Sequence, residues 1–203
     1  MIVVQQSAEV LAVSPDPLLL IERAGRTCYK SENKITEESA AEFVKMIMKR
    51  GHESVLEHGN ATIKFITDRG ITHELVRHRI ASFSQESTRY CNYGNSDEIA
   101  VIEPLDLPTN KAWKEWSHAC RAAEKSYLVM LKEGASPQWA RTILPNSLKT
   151  EIITTANFRE WRHIFKLRFV GTAGAPHPQI KGLMEEALIQ MKKLVPVIFD
   201  DII

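Results

Sequence analysis

Cysteine is scarce in this chain: Cys28, Cys91 and Cys120 are the only three in 203 residues, widely spaced and with no CxxC pair. An odd, dispersed set excludes a disulfide scaffold and a zinc knuckle as the organising device, and it fits a reducing cytoplasm. Neither GxGxxG nor GxxxxGK[ST] occurs, so the Rossmann fingerprint and the P-loop are both missing. No apolar run approaches the roughly 20 residues of a membrane span. The opening MIVVQQSAEVLAV lacks the basic region and long apolar stretch of a secretory signal. An excess of charge is lacking too, with 26 Lys and Arg against 25 Asp and Glu. No overall field would draw the protein to nucleic acid or an anionic membrane. The expectation is a soluble cytoplasmic protein with neither as a partner.

What is present is enough apolar material, 44% of residues, for a substantial core in one domain spanning 1–203. MIVVQQ reads as an opening strand, and Asp16-Pro17 as the cap and first turn of a helix through LLLIERAGRTCY. Ala40, Phe43, Val44, Ile47 and Met48 form a helical stripe capped by Thr36 and stopped at Gly51. NATIKFIT has strand composition, Asp68 to Gly70 a turn, and ITHELVRHRI a helical pattern that runs out into a polar loop. Further on come a strand at IAVIEP, a long helix from Thr109 to Glu133, and a shorter one opened by Ser136-Pro137. SLKTEIITTA reads as a strand, FREWRHIFKLRF as a helix, and IKGLMEEALIQMKKL as a final helix after the break at Pro176 to Pro178. The class is α+β: a mixed or antiparallel sheet with several long helices, not a Rossmann fold.

One segment concentrates charge. RHRIASFSQESTR, residues 77–89, holds three arginines, a histidine and four hydroxyl side chains. HELVRH just before it imitates a zinc-protease helix, but its histidines are five apart and diverge by roughly 140° on a helix, against about 40° for an i, i+4 metal pair. Ser87 lacks the GxSxG elbow of a serine nucleophile. Arginine forks match phosphate oxygens, and hydroxyls fill the remaining acceptor positions. Arg77 and Arg79 on a helix end would point about 200° apart, so one segment would reach two anions. A solvated charged face paired to Glu74 and Glu86 is the bland alternative.

The order of residues is more specific. Arg77-His78-Arg79, seven residues, Ser87, one residue and Arg89 resembles the signature RHR-x7-S-x-R of flavin-dependent thymidylate synthases at all five fixed positions. GHESVLEH upstream, Ala140 to Pro145, Asn157-Phe158-Arg159 and Leu167-Arg168 resemble the same family in the same order. The resemblance implies an enzyme that methylates dUMP to dTMP, with methylenetetrahydrofolate as carbon donor and FAD, reduced by NADPH, as hydride carrier. It also implies a homotetramer with FAD and dUMP sites where subunits meet, and no metal.

Carried over by position, the resemblance makes Ser54, Arg77, His78, Arg79, Gln85, Asn157, Arg159 and His163 FAD contacts. A helix cap is the alternative reading of Ser54. His52 resembles a histidine near the flavin ring, and Glu57 sits at a neighbouring family position. Glu74, Arg77, Gln85, Glu86, Ser87, Thr88, Arg89, Arg141 and Arg168 match dUMP contacts. Arg168 is the catalytic candidate, because a fixed guanidinium stabilises the negative charge that grows on the uracil ring. His177 and Gln179 are weaker candidates. The chain departs from a common family pattern at Ser84-Gln85, where Asn-Glu is frequent, which leaves open whether Gln85 or Glu86 meets FAD. All three cysteines read as structural or incidental. Two rivals stay on the table: a noncatalytic nucleotide- or flavin-binding regulatory protein, and an RNA-binding module using Trp113, Trp116, Trp139 and Trp161.

Overall fold

A computed structural model of the protein describes residues 1–96 and 98–203. Among these the strands are β1 (Ile2–Val4), β2 (Ser7–Val13), β3 (Asn60–Asp68), β4 (Ala81–Gln85), β5 (Ala100–Ile102) and β6 (Lys149–Asn157). The helices are α1 (Pro17–Thr27), α2 (Ser39–Lys49), α3 (Arg69–Leu75), α4 (Asn110–Lys132), α5 (Pro137–Ala140), α6 (Phe158–Phe165), α7 (Pro178–Leu194) and α8 (Pro196–Phe199). β1 and β5 pair in parallel, with Ile2, Val3 and Val4 opposite Ala100, Val101 and Ile102. The remaining strands form a sheet in the order β2-β3-β6-β4. The fold is α+β, as expected from the sequence.

Strict alternation explains the two long strands. Ala61, Ile63, Phe65 and Thr67 of β3 are buried, as are Thr150, Ile152, Thr154 and Ala156 of β6, every second residue in each case. The Thr62 and Thr155 hydroxyls meet at 2.9 Å on the other face.

The chain forms two compact units, each discontinuous in sequence: Met1–Ser7, Phe65–Arg77 and Ser84–Ile152, then Ala8–Lys64, His78–Phe83 and Ile153–Ile203. The first unit is centred on Ile99, Val101, Cys120, Tyr127, Ala140 and Leu148. In the second unit Phe158 and Phe165 meet Phe199 edge-on at 5.6 and 5.9 Å, while Trp161 stacks on Phe165 at 5.8 Å. Trp161 also donates from its indole to the Ala61 carbonyl at 3.0 Å. Arg162, 4% exposed, is held by both carboxylate oxygens of Asp201, at 2.5 and 2.7 Å, and donates to the Ile198 carbonyl.

Several elements differ from the sequence reading. MIVVQQ holds only β1, and β2 at Ser7–Val13 is a strand the pattern did not suggest. Asp68 is not a turn residue but the cap of α3, its Oδ1 accepting from Ile71 N at 2.8 Å. That helix ends at Leu75 instead of running on to Ile80, and the expected polar loop is β4. Asp16 precedes α1 without a side-chain capping bond, its φ of 42° being left-handed. Thr36 is not the cap of α2: its backbone N–H donates to Ser39 Oγ at 2.9 Å, and α2 begins at that serine. The helix expected through Phe169 leaves α geometry at Lys166 for a π-helical turn, Lys166–Val170.

Gly59 has a packing reason to be glycine. A Cβ there would sit 2.5 Å from the Phe158 ring and 3.3 Å from Ile21 Cδ1. Gly59→Ala should therefore destabilise by about 1–3 kcal/mol, read as a drop of roughly 2–4 °C in thermal midpoint per kcal/mol. An unchanged midpoint would show that Phe158 can move away freely.

Candidate active site

The RHR stretch lies past the end of α3, which stops at Leu75. His78 is only 6% exposed, whereas Arg77 and Arg79 on either side are exposed. Two exposed guanidinium groups therefore flank a buried imidazole. Within the second unit, Arg168 Nε–H donates to His78 Nε2 at 3.2 Å. Glu160 Oε1 lies 3.4 Å from His78 Nδ1, and the His163 ring meets the His78 ring edge-on at 5.8 Å. Burial, reinforced by the Arg168 guanidinium and by His163, lowers the His78 pKa from 6.5 to about 4. The ring is neutral at pH 7, so its contact with Glu160 is not an ion pair. Burial also pushes the Glu160 carboxyl above its ordinary range, with His163 opposing.

Arg168 sits in the π-helical turn after α6, closed by Gly171 at φ 85°. A Cβ on Gly171 would come within 2.9 Å of the Gly174 carbonyl, so glycine is required twice over. Such single π turns displace a side chain from the register of the preceding helix.

Two cavities in the same unit carry other candidates. One of about 470 Å3 is lined by Asn157, Arg159, His163, Lys166, Ile80 and the carboxylates of Glu53, Glu57 and Glu160 among others. Its volume lies in the range of small-molecule sites. Amide, guanidinium, imidazole and ammonium donors line it together, which suits an anionic nucleotide. Arg159 is paired with Glu57 at 2.6 Å, both half exposed. Asn157 Oδ1 accepts from Glu160 N at 2.8 Å, so this candidate is also the cap of α6. A second cavity, about 680 Å3, holds His52 and Ser54 between α1 and α2, with Phe43, Met46 and Val55 on its wall. Ser54 does not cap a helix: it lies inside the 3-10 turn Glu53–His58, whose cap position is His52. His177 caps α7, its Nδ1 accepting from Gln179 N at 3.1 Å, and Gln179 is buried.

The first unit gathers the rest. Arg141 Nη1 donates to Thr88 Oγ1 at 3.4 Å, and Arg89 Nε donates to Gln138 Oε1 at 3.0 Å. Ser87 turns the chain, its carbonyl accepting from Tyr90 N and Cys91 N and its Oγ from Arg89 N. Arg89 and Arg141 are exposed beside the buried Thr88, a cationic patch with a hydroxyl at its base. Gln85 Nε2 donates to Thr72 Oγ1 and Thr150 Oγ1 at 3.0 and 3.3 Å, and is thereby fixed in place. Glu86 accepts from Tyr93 Oη at 2.7 Å and from Lys149 Nζ at 3.4 Å, while Arg69 donates to its carbonyl. Burial pulls the Lys149 ammonium down, but Glu151 and Glu86 outweigh it and hold it above its usual value. Burial and the bond to Glu86 push Tyr93 up. Glu74 is half-buried near the end of α3.

Tyr93, Lys149, Thr72, Thr150 and Glu160 were not singled out by the sequence. Lys149 and Glu151 share a face of β6 by alternation, the one signal available for them. Glu160 completes an Asn-x-x-Glu pattern that reads as a capping box. Of the tryptophans, Trp161 is buried, the Trp116 indole donates to Ser147 Oγ, that of Trp113 to Glu103, and Trp139 is exposed. Among the described residues no three His, Cys, Asp or Glu side chains gather as a metal site, and no helix is long and apolar enough to cross a membrane.

Residues 9–197 match the family model described as thymidylate synthase complementing protein. The chain is 36% identical over 200 residues to a flavin-dependent thymidylate synthase of Geobacter sulfurreducens, spanning 95% of this chain and 84% of that protein. It is 35% identical to one from Pyrococcus abyssi, over 83% and 70% of the two chains, and 34% identical to one from Mycobacterium tuberculosis, over 90% and 78%. In fold it is similar to the UMP/dUMP methylase PolB of Streptomyces cacaoi bound with 5-Br dUMP, at a TM-score of 0.85 and 22% identity over 98% and 96% of the chains.

The His78 environment sets a pH dependence. Its folded pKa of about 4 lies below its ordinary 6.5, so between these values the unfolded chain binds the extra proton and the folded one does not. The stability that depends on neutral His78 is complete above about pH 6.5 and is lost as pH falls toward 4. Urea unfolding at pH 7, 5.5 and 4.5 should show this slope in the native protein and a shallower one in His78→Gln. Equal slopes in the two would place the titration elsewhere.

Proposed function

The chain belongs to the flavin-dependent thymidylate synthase family, and from that premise we propose which residues carry its reaction. The protein methylates dUMP to dTMP, with methylenetetrahydrofolate as carbon donor and NADPH as the source of reducing equivalents. FAD, when bound, supplies the hydride that completes the methyl group. The observation that carries the assignment of roles is the Arg168 guanidinium, held by a neutral buried histidine in a turn that takes it out of helical register.

Arg89 and Arg141, with the hydroxyls of Ser87 and Thr88, bind the dUMP phosphate. Their exposure beside Thr88 supports this, since an incoming phosphate replaces water and weak neutral partners such as Gln138. Ser87 binds and does not attack carbon. Glu74, Arg77, Gln85 and Glu86 border the same nucleotide; Gln85 and Glu86 are positioned by the Thr72, Thr150, Tyr93 and Lys149 contacts. Arg168 takes the uracil ring and stabilises the charge that builds as N3 ionises and C5 becomes nucleophilic.

FAD is held by Ser54, Arg77, His78, Arg79, Gln85, Asn157, Arg159 and His163. The polar cavity with Asn157, Arg159 and His163 supports this, because its donors suit a pyrophosphate-bearing cofactor. The Arg159–Glu57 pair opens at little cost, both partners being half exposed. We take residues 1–203 as one functional domain, since the family match draws on both compact units. We also take it to act as a cytoplasmic homotetramer with sites shared between copies. Tyr29, Ile80, Tyr90 and Trp139, each 65% exposed or more, support burial against other copies.

The test is anaerobic turnover of the purified protein by flavin absorbance and dTMP analysis. The native enzyme should show bound flavin, reduced by NADPH and reoxidised when dUMP and methylenetetrahydrofolate are both added. Arg168→Ala should keep the flavin spectrum and lose roughly 10²- to 10³-fold in turnover, whereas Ser87→Ala should raise the KM for dUMP and keep measurable turnover. Full activity in Arg168→Ala would remove it from the site; a colourless protein that takes up no FAD would favour the noncatalytic alternative.

A further inference from the structure

Glu160 is a buried carboxylate, 8% exposed, at the third position of α6. Its backbone N–H is already met by Asn157 Oδ1. In a capping box its side chain would return to the N–H of the cap residue. Here Oε1 instead lies 3.4 Å from His78 Nδ1.

The opposite edge of the same imidazole settles what Nδ1 carries. Arg168 Nε is a donor only, so His78 Nε2, which it meets at 3.2 Å, carries no hydrogen. A neutral ring then has its hydrogen on Nδ1, the edge that faces Glu160. We propose that Glu160 is a positioning residue: by accepting from His78 Nδ1–H it holds the tautomer whose Nε2 accepts from Arg168 Nε, and so fixes the plane in which the guanidinium meets the substrate ring. This rests on the role given to Arg168 above.

Without an acceptor at Nδ1 the ring is free to place its hydrogen on Nε2, where it would confront the Arg168 N–H donor to donor. The guanidinium would turn away, and the stabilisation lost is that of charge present only as the ring reacts. Either ionisation state of Glu160 serves, because a protonated carboxyl keeps acceptor capacity. The amide oxygen of glutamine serves as well. His163 meets His78 ring edge to ring and does not supply the acceptor. Second-layer carboxylates that orient a histidine by its remote nitrogen are a recurrent device.

The experiment is nitrogen NMR of the FAD-loaded enzyme labelled in its histidines, with His78 assigned by loss of its signals in His78→Gln, alongside steady-state kinetics. The native enzyme and Glu160→Gln should show neutral His78 hydrogenated at Nδ1, and Glu160→Gln should keep most of the turnover. Glu160→Ala should show mixed or Nε2-hydrogenated His78, with kcat lower by roughly 10²-fold and the KM for dUMP little changed. Should the alanine variant not fold, Glu160→Met, of similar volume and without an acceptor, makes the same comparison. Nε2 hydrogenation in the native enzyme overturns the proposal, as does a Glu160→Ala enzyme with native tautomer and kcat, or Glu160→Gln as impaired as the alanine variant. Arg168→Ala, run in parallel, separates the two readings. If it is inactive while Glu160→Ala is native-like, only the positioning role falls; if it is fully active, the role of Arg168 falls first.

Discussion

A buried imidazole has two nitrogens to satisfy and no water with which to do it, and much of the site geometry follows from how His78 meets that constraint. Burial, with the Arg168 guanidinium and His163 beside it, holds the ring neutral at pH 7, with one nitrogen a donor and the other an acceptor. The acceptor edge is met by Arg168 and the donor edge faces Glu160. Each partner comes from a different local structure: Glu160 from the first turn of α6, Arg168 from the π-helical turn beyond that helix. With His78 turned inward, its two neighbours in the chain are exposed, and both are arginines.

The first unit solves a different problem, that of holding two arginines ready without neutralising them. Arg89 and Arg141 have neutral partners, a glutamine and a threonine, which a phosphate can displace cheaply. Glu86, by contrast, is held by Tyr93 and Lys149 in a half-buried setting where charge-assisted bonds are stronger and the geometry is kept. Phosphate-binding and ring-binding candidates thus fall in different compact units.

Where the pattern of the chain was regular, the sequence was legible. β3, β6, α4 and α7 follow period 2 or 3.6 closely, and their ends came within a few residues. β4 escapes a sequence reading because ASFSQ is short and rich in serine and its alternation looks like loop; β2 lies beyond MIVVQQ and is not anticipated at all. α3 was extended too far because Leu75, Val76 and Ile80 continue a helical spacing that the buried His78 interrupts. That error also misplaces Arg77 and Arg79: both lie past the end of α3 and both are exposed, so opposite helical faces are not involved. The signature residues were visible because their spacing is fixed in one stretch of chain. Tyr93, Lys149 and Glu160 were not, because what recruits them is contact between segments distant in sequence, and Glu160 carries a local pattern that points to an ordinary cap.

Cysteine shows why the site is built from arginine. A cysteine nucleophile needs a thiolate in an accessible electropositive setting. Cys120 is buried in the first unit's core, where burial pushes its thiol up, and Cys28 lies exposed at the end of α1 with its Sγ near the Ala24 carbonyl. Cys120 lacks that setting, and none of the three cysteines is among the residues proposed to bind dUMP. Without covalent activation, the pyrimidine has to be made nucleophilic by stabilising charge on its own ring, and this favours a cation that cannot give up its proton. Lysine is a point charge whose pKa shifts readily on desolvation, whereas guanidinium stays protonated and has a plane to align. A plane, unlike a point charge, has to be oriented, and a histidine of defined tautomer at Nε of Arg168 is a means of orienting it.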